Sequence, residues 1–136
     1  MKYPVAIHHQ DERGFGITVP DLPGCFSAGE SVDSAVDSAH DAISCHLEGL
    51  MLAGEAIPAA RDIRQHIEDA RLGDVLCWAV VSVDLSKLSG RARRINITIP
   101  ERILSQVDAY AAGTGQSRSG LIARAAVEFI GRQKAG

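Results

Sequence analysis

The stretch Arg94-Ile95-Asn96-Ile97-Thr98-Ile99-Pro100-Glu101 decides how this chain is read. Ile95, Ile97 and Ile99 alternate with Arg94, Asn96 and Thr98, and the two-residue period of a β-strand sends the two sets to opposite faces. One face is wholly aliphatic. The other carries a guanidinium, a carboxamide and a hydroxyl, all groups that can hydrogen-bond base edges. Pro100 and Glu101 suit the first turn of a helix, so the strand leads directly into one. Ile103, Leu104, Val107 and Ala111 supply that helix with an apolar stripe, and Gly113 and Gly115 break the chain. Ser117 is a natural N-cap for a second helix, whose buried face is expected at Leu121, Ile122, Ala125, Phe129 and Ile130.

Strand, helix, helix in this order resembles the ribbon-helix-helix DNA-binding domain, and Gly115-Gln116-Ser117 matches that family's Gly-x-Ser/Thr turn. The resemblance implies that two chains each lend a strand to an antiparallel ribbon lying in the DNA major groove. Size argues separately for a homodimer, since a segment of about 45 residues cannot enclose so much apolar surface alone. Dimerisation would place two copies of Arg94, Asn96 and Thr98 on one surface. Arg suits guanine O6/N7, Asn suits adenine N6/N7, and Thr can hydrogen-bond or meet a thymine methyl. Ser117, Arg118 and Ser119 would offer backbone N–H groups and a cation to a phosphate, with Arg91 and Arg93 adding unspecific attraction. An ordinary amphipathic edge strand followed by a helical hairpin is the competing reading. Charge weighs against it: the net −3 divides into +5 over residues 91–136 and −8 over residues 1–90. Such asymmetry suggests a basic end for a polyanion and an acidic end with another task.

Upstream, Lys2 to His9 reads as a strand with Tyr3, Val5 and Ile7 on one face. Gln10 to Gly14 is a polar turn in which Gly14 is free to take a positive φ. Phe15 to Val19 pairs back as a hairpin, and Pro20-Asp21-Leu22-Pro23-Gly24 cannot continue a ladder because two residues lack the donor. Cys25 to Ala28 gives a third short strand. Ser31 caps a helix whose Val32, Val36, Ala39, Ile43, Leu47 and Leu50 share one face, expected to run to about Ala53 and stop at Gly54. Its outer face stacks Asp33, Asp37 and Asp41. After Pro58, a shorter helix is expected over Arg61 to Leu72, apolar at Ile63, Ile67 and Ala70, and closed by Gly73. Val75 to Val83 has so few polar residues that it reads as a strand buried on both faces, with Trp78 as a packing anchor. Residues 85–93 read as a linker.

These elements make an α+β domain, β-β-β-α-β, over residues 1–84, followed by the ribbon-helix-helix segment over 94–136. The first part resembles the HicB antitoxin family. The resemblance rests on Pro20-Asp21-Leu22-Pro23-Gly24-Cys25 after a Gly-Phe-like strand, and on the helix entry Gly29-Glu30-Ser31. It implies a trimmed ribonuclease-H-like fold without a working active site, and a partner: HicA, a small basic toxin that cleaves RNA with a histidine. It also implies a DNA-binding domain that represses the operon of both proteins. An acidic N-terminal half suits a toxin whose surface must be basic to hold RNA. The family pattern assigns no toxin-contact residues, and the Asp33/Asp37/Asp41 face is offered as a guess. Two dimerisation surfaces on one chain could build a tetramer, although only the C-terminal one is argued from residues.

Enzyme chemistry finds no support. His8 and His9 point to opposite faces of a strand. His40 and His46 lie six apart on a helix, about 240° around it. No Ser/Cys–His pairing or metal-ligand spacing stands out, so neither a catalytic residue nor a cofactor is assigned. Cys25, Cys45 and Cys77 are isolated and read as small buried hydrophobes in a reducing compartment. No apolar run is long enough to cross a bilayer and no signal peptide is evident, so a cytoplasmic protein without membrane association is expected. The alternative function is a ligand-responsive ribbon-helix-helix repressor without a toxin partner.

Overall fold

The computed structural model describes residues 1–88 and 93–135, without the side chains of Arg13 and Ala135. Residues 89–92 of the expected linker, with Arg91, lie outside the described residues.

Four strands form the sheet: β1 (Lys2–Gln10), β2 (Gly14–Thr18), β3 (Phe26–Gly29) and β4 (Cys77–Ser82). They lie in the order β3-β2-β1-β4 with every pairing antiparallel. Alternation along β1 turns Tyr3, Val5 and Ile7 to one face, and all three are buried. Register continues that face laterally, since Ile7 sits opposite Ile17 and Cys77, and Ile17 opposite Ser27. Helix α1 (Val32–Leu52) covers it through Ala35, Ala39, Ile43 and Leu47, all fully buried. The fit at the β3 end is close: Ser27 Oγ donates to Ala35 O at 3.3 Å, and a Cβ on Gly29 would lie 2.3 Å from Ala35 N.

The opposite face holds the row Phe26, Thr18, Ala6 and Trp78. The chain between α1 and β4 crosses this side. It contains α2 (Ile63–Ile67), whose His66 stacks on Trp78 with ring centroids 6.3 Å apart. Pro4 and Ala6 are buried in consequence. Two further bonds tie the crossing segment to the end of β1: Leu76 N donates to Ile7 O at 2.7 Å, and His8 Nδ1 to Asp74 O at 2.8 Å.

Several expectations need correction here. The helix expected over Arg61 to Leu72 is α2 alone, followed by a separate 3-10 turn at Ala70–Leu72. The carboxylates of Asp62 and Asp69 accept from the backbone N–H groups of Arg64 and Arg71, so two caps in eight residues divide the segment. β4 is an edge strand, and Cys77 and Val80 are exposed, so it is not buried on both faces. Cys25 is buried, but Cys45 and Cys77 are exposed, contrary to a core role for all three. Gly14 has φ 168, ordinary extended backbone, and the left-handed residue of that turn is Asp11 at φ 50. Glycine is required at position 14 for a different reason, because a Cβ there would meet Gly29 O at 2.7 Å.

The C-terminal part is a helical hairpin of α3 (Glu101–Thr114) and α4 (Arg118–Ala135). Gly115 turns the chain at φ 67, and Ser117 Oγ caps α4 by accepting from Gly120 N at 3.0 Å. One side of α4 rests on the sheet domain through Ala123 and Val127. Glycines permit the approach at both ends: Cβ atoms on Gly120 and Gly131 would lie 2.9 Å from Asp84 Oδ1 and 3.3 Å from Ile57 O. Leu85 and Leu88, within the segment read as linker, are part of the core.

Candidate nucleic-acid and partner interfaces

Residues 93–100 form no hydrogen-bonded ladder within this chain. Apolar and polar residues of this stretch alike are open to solvent. Ile95 and Ile97 are 71% and 58% exposed, and Arg94, Asn96 and Thr98 are exposed as well. An aliphatic row left in water is costly, at roughly 1.5–3 kcal/mol for each large side chain that full burial would recover. The hairpin adds further open apolar groups: Ile103, Tyr110, Phe129 and Ile130 are each more than half exposed. Of the apolar positions expected to be buried in α3 and α4, Ala111 and Leu121 are.

Ser117, Arg118 and Ser119 lie at the start of α4, separated from the Arg94–Thr98 row by the length of α3. Those fourteen helical residues span roughly 20 Å. Arg118 is engaged, donating through Nε and Nη2 to the two oxygens of Asp108 at 2.8 Å each. The guanidinium holds the Asp108 carboxyl below its ordinary range by hydrogen bonding. Half-exposed pairs of this kind exchange partners readily.

On the sheet domain, Asp33, Asp37 and Asp41 lie on the solvent face of α1, all exposed. Ser31 and Ser34 cap that helix reciprocally. A polar cluster unrecognised in the sequence lies on the other side. Asp21, from the proline-bounded turn, is buried and accepts from His66 Nε2 at 3.0 Å, Arg61 Nε at 3.1 Å and Arg61 N at 3.2 Å. His66 is 1% exposed. The cluster fastens the crossing segment to the turn after β2, and the signal for it is the carboxylate between two prolines. Among the described residues no group of three His, Cys, Asp or Glu side chains could hold a metal ion, and no helix is long and apolar enough to cross a membrane.

A four-stranded antiparallel sheet under one long helix, followed by a helical hairpin, makes this a mixed α/β protein. The model of the HicB-like antitoxins of bacterial toxin–antitoxin systems matches residues 3–126. The chain belongs to that family. It is 40% identical over 112 residues to a protein of Haemophilus phage HP1 known as an uncharacterized 14.9 kDa protein of the rep–hol intergenic region, covering 82% of this chain and 83% of that one. The crystal structure of the Burkholderia pseudomallei antitoxin HicB is similar at TM-score 0.78 and 39% identity, over 96% of this chain and 98% of that one. A chain of the HicA3 and HicB3 toxin–antitoxin complex is similar at TM-score 0.54 and 34% identity, over 62% of this chain and 99% of that chain.

Proposed function

We propose that this protein neutralises a small, basic, RNA-cleaving toxin of the HicA type through its acidic N-terminal part and represses its own operon through a C-terminal ribbon-helix-helix dimer. The division falls at residues 1–84 for the toxin and 94–136 for DNA, joined by 85–93. The observation that carries the DNA reading is the unpaired segment 93–100, with its exposed aliphatic row and its exposed Arg94, Asn96 and Thr98. A second copy pairing with this segment would satisfy the backbone, cover Ile95 and Ile97, and leave the polar row outward. Ser117, Arg118 and Ser119 then serve the flanking phosphates, with Arg118 exchanging Asp108 for a phosphate oxygen. Support for the toxin comes from the excess of carboxylates over residues 1–90 and from the likeness to a chain of the HicA3 and HicB3 toxin–antitoxin complex.

Co-expression with the HicA-type toxin of the same genome tests the first half. The expected result is restored growth and a stoichiometric complex by intact-mass analysis after a wash at moderate salt. A toxin that still halts growth would sink the antitoxin reading. For the second half, Asn96→Ala is expected to cost about 1–3 kcal/mol on the preferred operator and far less on random DNA. Arg118→Ala should weaken both alike and reduce the salt slope. Equal losses from Asn96→Ala on both DNAs would remove base reading from its role.

A further inference from the structure

We propose that the free edge of β3 is the line along which a basic partner adds a strand, with Phe26 as its apolar anchor. This rests on the antitoxin reading above and gives the toxin a place.

β3 ends the sheet order, so one side of it has no strand neighbour. Val19 N donates to Cys25 O at 3.3 Å, which places Val19 and Cys25 in a hydrogen-bonded pair. Antiparallel ladders alternate bonded and unbonded pairs, so Ser27 and Gly29 also bond inward, and the N–H and C=O groups of Phe26 and Ala28 point outward. Both of these residues are exposed, and Phe26 is 65% exposed, an unusual position for a phenyl ring. The strand lacks the usual protection of an edge: it contains no proline, no lysine and no other charge.

Each end of β3 opens into a groove. At the Phe26 end a cleft of about 390 Å³ lies between the proline-bounded turn and the crossing segment, lined in part by Thr18, Pro23, Arg61 and Leu72. Beyond Gly29 an open groove of about 730 Å³ is lined by Gln10, Asp11, Glu12, Ala28 and Glu30 among others. An extended segment lying on β3 would run from one groove into the other. One end of it would meet Phe26 and the other the carboxylates of Asp11, Glu12 and Glu30.

Charge selects the occupant. A second copy would bring another domain carrying the same excess of eight negative charges over residues 1–90, whereas a small RNA-binding protein presents cations that the Asp11, Glu12 and Glu30 groove can take. β-Strand addition gives affinity through main-chain bonds and specificity through side-chain anchors, and this edge offers both.

The test uses the full chain and the HicA-type toxin of the same genome, by calorimetric titration and amide hydrogen exchange. Ala28→Pro removes an outward donor without touching the inward ladder, and Phe26→Ser removes the anchor. Each is expected to weaken toxin binding at least tenfold while melting remains cooperative. Complex formation should slow exchange at the Phe26 and Ala28 amides. The triple variant Asp11→Asn, Glu12→Gln, Glu30→Gln should slow association and flatten its salt dependence. Glu55→Gln, exposed beyond the far end of α1 from β3, should change affinity less than threefold. Wild-type binding with edge variants that bind equally well, or with unchanged exchange at both amides, overturns the edge alone. A wild-type chain that takes up no toxin overturns the antitoxin reading and the edge with it. Should Phe26→Ser dissolve a homo-oligomer and leave toxin affinity intact, the edge belongs to a second copy and the proposal fails.

Discussion

Asp21 shows how much one buried side chain holds together. Its oxygens accept from an imidazole N–H, a guanidinium and a main-chain amide that are 40 and 45 residues distant in sequence. Asp21→Ala would leave the buried His66 ring without its partner, and such orphaned groups cost about 1–3 kcal/mol each, more when charged. A stability loss of about 3 kcal/mol is expected in urea denaturation, and a loss under 1 kcal/mol would show the cluster to be incidental. Tyr3 is the second case. Its hydroxyl donates to Pro58 O at 2.8 Å, and burial, helped by the negative charge of Asp21, pushes its pKa well above the ordinary 10.0. A raised folded-state value means stability that is complete below pH 10.0 and is lost as pH climbs toward that value, because the unfolded chain ionises first. Melting temperature should therefore fall above pH 10.0 in the wild type, and Tyr3→Phe should flatten that limb while melting lower at neutral pH. An alkaline limb of equal steepness in Tyr3→Phe would place its cause elsewhere.

At the scale of elements, the seam between β3 and α1 is the tightest contact. Beside the Ser34 hydroxyl, the atoms facing Gly29 are Ala35 N and Cα, main chain of α1 that cannot rotate aside, so Gly29→Ala must shift the helix. Overpacking of this kind costs about 1–3 kcal/mol, and the expected result is a matching fall in stability with faster exchange in the first turn of α1. A neutral Gly29→Ala would mean that helix and strand slide freely. The contrast between α1 and the segment after it shows what local sequence can specify. α1 begins beside Ser31 and ends just before Gly54, as its periodicity and caps require, because those signals act within one or two turns. The 61–72 segment has three apolar residues at helical spacing, but Asp62 caps the start of a short α2 and Asp69 caps a separate turn after it, so no single helix spans the segment. Caps inside a candidate helix carried more information than its apolar positions. The strand ending at Ser82 erred differently: an uncharged run looks the same in a central strand and at an edge, since coverage depends on other layers.

For the whole molecule, the exposed apolar groups are the fact to explain. Ile95, Ile97, Ile103, Phe129 and Ile130 lie open in one chain, and large exposed apolar groups of this kind mark surfaces that a partner can cover. The expected outcome is a homodimer by sedimentation, with a melting temperature that rises with concentration. Ile97→Lys should give monomers that retain the folded sheet domain, and a wild type that stays monomeric at high concentration would remove the ribbon. The sequence by itself determined the elements whose signals are local. These were the three N-terminal strands, the capped helix α1, and the Gly115 turn with its Ser117 cap. Tertiary structure alone decided what lies beyond a few residues' reach. It made β4 an edge, sent the crossing segment over the second sheet face, joined Asp21 to His66, and set α4 against the sheet domain through Gly120 and Gly131. The reason is physical: backbone periodicity and capping are short-range, whereas burial is settled by which distant surfaces meet.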